Sequence, residues 1–175
     1  MNFKTYNGEQ VTLEEISGFI SDDYIYEVFV GTDSQVKRKT KSIQFSTCIV
    51  LYRKGKGGRI FINQSKEPYS ESLHQRLQKE AWRSLSVAFD LSSLLPFNAE
   101  IVIDLDVNQS REHKSGNYVE ELVGMIVGQG FKCRVKPDAW AAQSVADKFA
   151  RVEIIGRAKD KRKRARKRKK NRKRQ

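Results

Sequence analysis

Five carboxylates fall where a folded chain has little ordinary use for them. Asp33 closes the apolar run Tyr26-Glu27-Val28-Phe29-Val30-Gly31-Thr32-Asp33, which places an acid at the inner end of a central strand. Glu80 stands on a helical stripe made by Leu73, Leu77, Ala81, Leu85 and Ala88. Asp104 and Asp106 are two apart in Ile101-Val102-Ile103-Asp104-Leu105-Asp106, so both project from one sheet face, Asp106 nearer the strand's C-terminal end. Asp147 interrupts a helix bearing Val145, Ala146 and Phe149, and Asp is a poor residue for a helix interior. Buried carboxylates cost several kcal/mol unless cations or hydrogen bonds compensate. Acids from two neighbouring strand ends and two helices suit hard, oxygen-seeking cations. Two Mg²⁺ or Mn²⁺ ions roughly 3.5–4 Å apart would stabilise both the attacking and the departing oxygen of a phosphodiester.

Each acid also has a plainer reading. Asp33 can cap a turn with Ser34. Glu80 can sit at the stripe's edge and pair with Arg76 or Arg83, and Asp147 can face solvent beside Lys148 or Arg151. Asp138, after Pro137, is best read as a helix N-cap.

The elements that must position these acids follow from periodicity. Thr12 with Glu15 three residues on resembles a capping box before Leu13, Ile16 and Ile20, a short helix. Three strand-like runs follow, near residues 25–34, 42–52 and 58–65, the last two joined by the turn Arg53-Lys54-Gly55-Lys56-Gly57-Gly58. They form an antiparallel meander. A long amphipathic helix over 70–90 precedes a strand at 99–106, a helix at 117–127 ending at Gly128-Gln129-Gly130, a short strand at 131–135 and a last helix at 139–152. Gly124 and Gly128 mark close helix packing and a C-cap. The order βββαβαβα makes the later strands parallel, an α/β architecture.

Charge divides the chain. The formal net charge is +13, and residues 157–175 hold 14 of the 34 Lys/Arg and one acid, so residues 1–156 carry 20 basic and 20 acidic side chains and balance. A globular domain over 1–156 with a disordered basic tail over 157–175 is expected. The tail's partner would be a polyanion, gripped by residues such as Arg162, Lys163, Arg164, Arg166, Lys167 and Arg168. Such contacts are sequence-independent and weaken by about 0.9 log units per neutralised phosphate per log unit of salt. Cys48 and Cys133 have neither metal-ligand spacing nor a His companion and read as small apolar fillers in strands. No apolar stretch approaches the roughly 18 residues that span a bilayer, and the N-terminus lacks a signal-peptide core, so a cytoplasmic protein is expected. Trp82 and Trp140 fit packed helix faces.

These residues together resemble the ribonuclease H-like superfamily, through the element order, Val30-Gly31-Thr32-Asp33-Ser34 and Val145-Ala146-Asp147-Lys148-Phe149-Ala150-Arg151. Within it the chain is similar to the YkuK family of small bacterial proteins, through Gly31-Thr32-Asp33-Ser34-Gln35, Glu80 with Ser84-Leu85, Asp106, Val123-Gly124-Met125-Ile126-Val127-Gly128, Gly130-Phe131, Lys136-Pro137-Asp138 and Val145-Ala146-Asp147-Lys148. The resemblance implies a five-stranded mixed sheet of order 3-2-1-4-5 with strand 2 antiparallel, flanked by helices. It also implies a divalent-metal-dependent nuclease in which Asp33 bridges the ions, Glu80 holds one, Asp106 is the acid on the adjacent strand and Asp147 completes the site. Asp104 is the reserve ligand on that strand. The chain departs from ribonucleases H in having only Lys136-Pro137-Asp138 between the fifth strand and the last helix, without a His-bearing loop; His113 lies in the loop after the fourth strand instead. The alternative is a catalytically silent module of the same fold that binds nucleic acid or an acidic protein.

Overall fold

The computed structural model describes residues 1–20, 26–69, 72–97, 99–109 and 115–151. The basic tail, including Arg162, Lys163, Arg164, Arg166, Lys167 and Arg168, lies outside the described residues, as does His113. Two short strands open the chain, β1 (Phe3–Thr5) and β2 (Gln10–Val11), followed by helix α1 (Leu13–Ser17). The expected capping box is formed, Thr12 accepting from the Glu15 amide while Glu15 accepts from the Thr12 amide. The meander is β3 (Tyr26–Lys37), β4 (Ser42–Arg53) and β5 (Gly57–Pro68); then come α2 (Leu73–Ser92), β6 (Ala99–Asn108), α3 (Val119–Val127) and β7 (Lys132–Lys136). A π-helical segment, Ala141–Ala146, runs into α4 (Asp147–Arg151).

Among the described residues the sheet has seven strands, in the order β2-β1-β5-β4-β3-β6-β7. This corrects the expected count of five. The inner run β5-β4-β3-β6-β7 is nevertheless the expected 3-2-1-4-5: β4 is antiparallel to β3 and β5, while β6 is parallel to β3 and β7 parallel to β6. The extra strands are three and two residues long, too short to show a period of two. They matter because β1 pairs along β5 through Lys4 and Thr5 and covers part of an otherwise open edge.

Strand alternation sorts the core into two layers. Val28, Val30, Ile49, Leu51, Ile101, Ile103 and Leu105 pack under α1, α2 and α3 with Ile16, Leu77, Leu85 and Leu122. Phe29, Cys48, Val50, Ile62 and Val102 pack on the other face against Ala141, Val145, Ala146 and Phe149. The central strands are covered on both sides, which is why they read as nearly continuous apolar runs.

Several boundaries shift with consequences for the site. β3 continues to Lys37, so Asp33 lies inside the strand opposite Ser46 and not at its end. The parallel pairing of β3 with β6 does stop at Thr32 and Leu105, so the two strands part just where Asp33 begins to project. α2 starts later than its hydrophobic period suggests, because Ser72 and Gln75 form a second capping box. Asp138 lies in the turn before the last helix; the amide of Ala141 at that helix's start donates to the Asp104 carboxylate at 2.7 Å, so the longer-range acid does the capping. A Cβ added to Gly124 would meet nothing within 4 Å, so close packing does not explain that glycine, whereas α3 does end at Gly128, followed by Gly130 at φ 85°. Trp82 is 57% exposed, on the side of α2 away from the sheet; Trp140 packs edge-on against Phe29 at 4.9 Å.

Candidate acidic pocket

A depression of about 260 Å³ opens where β3 and β6 part, lined by Asp33, Leu73, Arg76, Leu77, Glu80, Asp106 and Ser115. Asp33 and Asp106 enter from strand positions that face the α4 layer, while Glu80 reaches the strand ends from α2 on the opposite layer. Larger depressions of 480 and 530 Å³ lie elsewhere among the described residues, and neither gathers three carboxylates as this one does. Charge, and not volume, distinguishes it.

Glu80 is 5% exposed. Its Oε1 accepts a 2.6 Å hydrogen bond from Ser34 Oγ, which sits on the helix-facing side of β3 next to Asp33. Burial pushes the Glu80 carboxyl up to about 8, and the charges of Asp33 and then Asp106 push the same way; the Ser34 hydroxyl and Arg76 oppose them. Burial likewise lifts Asp33 to about 7, assisted by Asp106 and by Asp147, and opposed by the Ser34 amide and Arg76. Arg76 is one helical turn before Glu80 and donates from its guanidinium to the Ser34 carbonyl at 3.4 Å. Asp106 Oδ1 is 2.6 Å from Lys136 Nζ, an ion pair that lacks hydrogen-bond alignment. Ser46 Oγ, across the ladder from Asp33, is buried without a hydrogen-bond partner.

Three of the acids singled out in the sequence therefore share one pocket: Asp33, Glu80 and Asp106. Asp147, at the point where the π segment becomes α-helix, is half-buried and acts on Asp33 through its charge without lining the depression. Asp104 is separate. It is fully buried and held by the Arg134 guanidinium through both oxygens at 3.0 and 3.2 Å, as well as by the Ala141 amide. Arg134 in turn lies over the Phe29 ring at 4.2 Å. The plainer pairing expected for Glu80 does not occur with Arg83, which binds Glu67.

Among the described residues no three acid, His or Cys side chains are already drawn together as ligands of one ion; Asp106 is turned to Lys136 and Glu80 to Ser34. The donor chemistry still fits a hard divalent cation, since the described residues of the lining offer carboxylate oxygens and neither thiol nor imidazole. Sequence reasoning placed Arg76 beside Glu80 but missed Ser115 in the lining, and Ser34 and Lys136 as the partners of Glu80 and Asp106. The spacing of Arg76 to Glu80 was legible as one helical turn; the Lys136 to Asp106 pair needed the β6–β7 irregularity between Asp104 and Asn108.

The fold and the pocket define a class, and comparison agrees: the ribonuclease H-like family model matches residues 11–151. The chain belongs to the ribonuclease H-like family. Within it the chain is similar to YkuK of Bacillus subtilis (strain 168), described as an uncharacterized protein, at 27% identity over 157 residues covering 81% of this chain and 90% of that relative. Among solved structures it is similar to endonuclease V of Ciona intestinalis in complex with a 24mer DNA containing an inosine followed by a ribo-adenosine. There the TM-score is 0.36 at 13% identity, over 79% of this chain, which spans 62% of the endonuclease chain. No helix among the described residues is long and apolar enough to cross a membrane.

Proposed function

We propose that the protein is a divalent-metal-dependent nuclease that hydrolyses phosphodiester bonds of nucleic acid at the acidic pocket. Asp33, Glu80, Asp106 and Asp147 form the ligand set for Mg²⁺ or Mn²⁺, and residues 157–175 tether the substrate. The observation that carries this reading is the convergence of Asp33, Glu80 and Asp106 on one pocket, where burial first and neighbouring acids second hold Asp33 and Glu80 far above the ordinary carboxyl range. A cluster that resists ionisation in isolation is one that gains most from a divalent cation.

Bound ions would supply Lewis-acid stabilisation of the attacking and departing oxygens and a water of lowered pKa. The chain's own residues do the rest. Asp33 shares the lining with Glu80 and Asp106 and feels the charge of Asp147, which makes it the candidate for the shared ligand. Ser34 orients Glu80, and Arg76 leaves a positive charge at the pocket wall for a phosphate oxygen. Asp104 stays outside the ligand set because both its oxygens are engaged, and its clamp with Arg134 fixes β6, β7 and the last helix around the pocket.

Titrating thermal stability with Mg²⁺ and Mn²⁺, and assaying cleavage of RNA, DNA, hybrid and junction substrates, tests the proposal. Metal should raise the melting temperature of the wild type and not of Asp33→Asn, and cleavage should vanish in Asp33→Asn and Asp147→Asn. Equal cleavage by wild type and both variants overturns it. A second reading, a catalytically silent nucleic-acid-binding member of the fold, draws on the ion pair by which Lys136 already occupies Asp106. It expects salt-sensitive binding with no effect of metal on stability.

A further inference from the structure

We propose that the β3–β4 hairpin is a phosphate-gripping arm that holds the nucleic-acid backbone beside the acidic pocket. This rests on the nuclease reading for the pocket's role, but not for the binding itself.

The first observation is a segregation of charge hidden in a neutral body. Between Asp33 and Glu67 there is no acidic residue, while Lys37, Arg38, Lys39, Lys41, Arg53, Lys54, Lys56, Arg59 and Lys66 all fall in that interval. Four of these nine cations occupy the hairpin tip, within five consecutive positions. Arg38, Lys39 and Lys41 are exposed and Lys37 half-exposed. No ion pair among the described residues engages any of the four; Lys37 donates only to the neutral Gln44 amide. Charges meant for structural pairing would lie near acids, as Lys79 and Arg83 lie near Glu67.

The second observation is where this tip points. β3 runs unbroken from Asp33 to Lys37 in continuous register with β4. With no bulge between them, Asp33, Gln35 and Lys37 project from one face. Four residues of strand span about 13 Å at roughly 3.3 Å each, so the cations of the tip stand within a few nucleotides' reach of Asp33 along the same strand. A backbone held at the tip would therefore extend toward the pocket that Asp33 lines. A third feature is that the tip is built and held. The turn Arg38–Thr40 is closed by the Lys41 amide on the Arg38 carbonyl, Thr40 and Ser42 share a 2.7 Å hydroxyl contact, and the Tyr69 amide donates to the Lys41 carbonyl at 3.0 Å. Lys41 itself holds φ 44°, a left-handed conformation that Gly or Asn adopts more readily, so a cation stands where the turn alone would select another residue.

Lys and Arg on such a tip neutralise phosphates without reading bases, so the arm takes RNA or DNA of any sequence. The distinguishing experiment uses the full chain and separates binding from chemistry. In an Asp33→Asn background, affinity for a 20-mer duplex and a 20-mer single strand is measured across salt for the parent and for Lys37→Gln/Arg38→Gln/Lys39→Gln/Lys41→Gln. Losing three to four contacts should flatten the slope of log K on log salt by about 3 and weaken binding tenfold or more at the lower salt concentrations. The melting temperature should change little, because Arg38, Lys39 and Lys41 are exposed and Lys37 gives up only its hydrogen bond to Gln44. An unchanged slope and affinity overturn the proposal. So does an equal loss of binding to polyglutamate, which would make the arm a surface for acidic proteins. Absence of cleavage in the wild-type protein would sink the nuclease reading while leaving this result standing.

Discussion

Ser34 Oγ donates to Glu80 Oε1 at 2.6 Å, tying the strand that carries Asp33 to the helix that carries the deepest acid of the pocket. The bond is buried, so its loss leaves a carboxylate short of a donor in a place water reaches poorly. Ser34→Ala should destabilise the fold by about 1–3 kcal/mol, the usual cost of orphaning a buried polar group. The cost should be larger at pH 9 than at pH 6, because Glu80, with its pKa raised to about 8, is charged only at the higher value. Denaturant melts at the two pH values check both the size and the ordering.

Asp33 at about 7 and Glu80 at about 8 bind protons in the folded state that an unfolded chain releases near pH 4. Between those limits the folded state holds more protons, so stability falls as pH rises from about 4 to 8. Glu67, lowered first by its hydrogen bond to Lys79, acts in the opposite sense, but only below about pH 4.5. The two windows meet only near pH 4–4.5. Glu80→Gln should flatten the upper slope, and Mn²⁺ should raise the melting temperature more at pH 8 than at pH 5, since only ionised carboxylates bind it well. A melting temperature independent of pH across 5–8 would remove the electrostatic basis of the pocket.

Much of this arrangement was readable in advance, and for specific reasons. Val28, Phe29 and Val30 lie in a strand covered on both faces, so the run is apolar throughout and its inner acid stands out. Leu77, Ala81 and Leu85 mark the buried side of α2, and Glu80 is conspicuous on it. Asp104 and Asp106 were harder to separate, because strand period assigns them the same face and nothing local says which one meets Arg134. The choice is made by a residue 30 positions away, and by the start of a helix. Lys136 was invisible as a pocket residue for the same reason. The hairpin tip is inconspicuous in the sequence because its four cations cancel against distant acids in any count of residues 1–156.

Lys136 Nζ lies 2.6 Å from Asp106 Oδ1, so a cation entering the pocket must compete with an ammonium already there. Lys136→Gln should leave the protein slightly less stable without metal, by roughly 1 kcal/mol or less for a partly exposed pair. The same change should tighten Mn²⁺ binding, up to about tenfold, which corresponds to about 1.4 kcal/mol. A Mn²⁺ titration of the melting temperature reads both effects from one series. Weaker metal binding in this variant would mean that Lys136 supports the ligand geometry and does not compete with it.

Asp104→Asn and Asp106→Asn should part company. Asp104 is fully buried and its two oxygens serve Arg134 and the Ala141 amide. Removing its charge strands the guanidinium of Arg134 over Phe29; breaking a fully buried pair costs about 3–5 kcal/mol, and the partial exposure of Arg134 lowers the cost here. Asp106 is half-buried among other acids, and neutralising it relieves repulsion on Asp33 and Glu80, so Asp106→Asn should keep or gain stability without metal. The metal response should invert the order: Asp104→Asn, where it folds, keeps a Mn²⁺-dependent rise in melting temperature, while Asp106→Asn loses it. If Asp104→Asn abolishes the metal effect while remaining folded, the strand ligand is Asp104, and the Arg134 clamp must open to admit the ion.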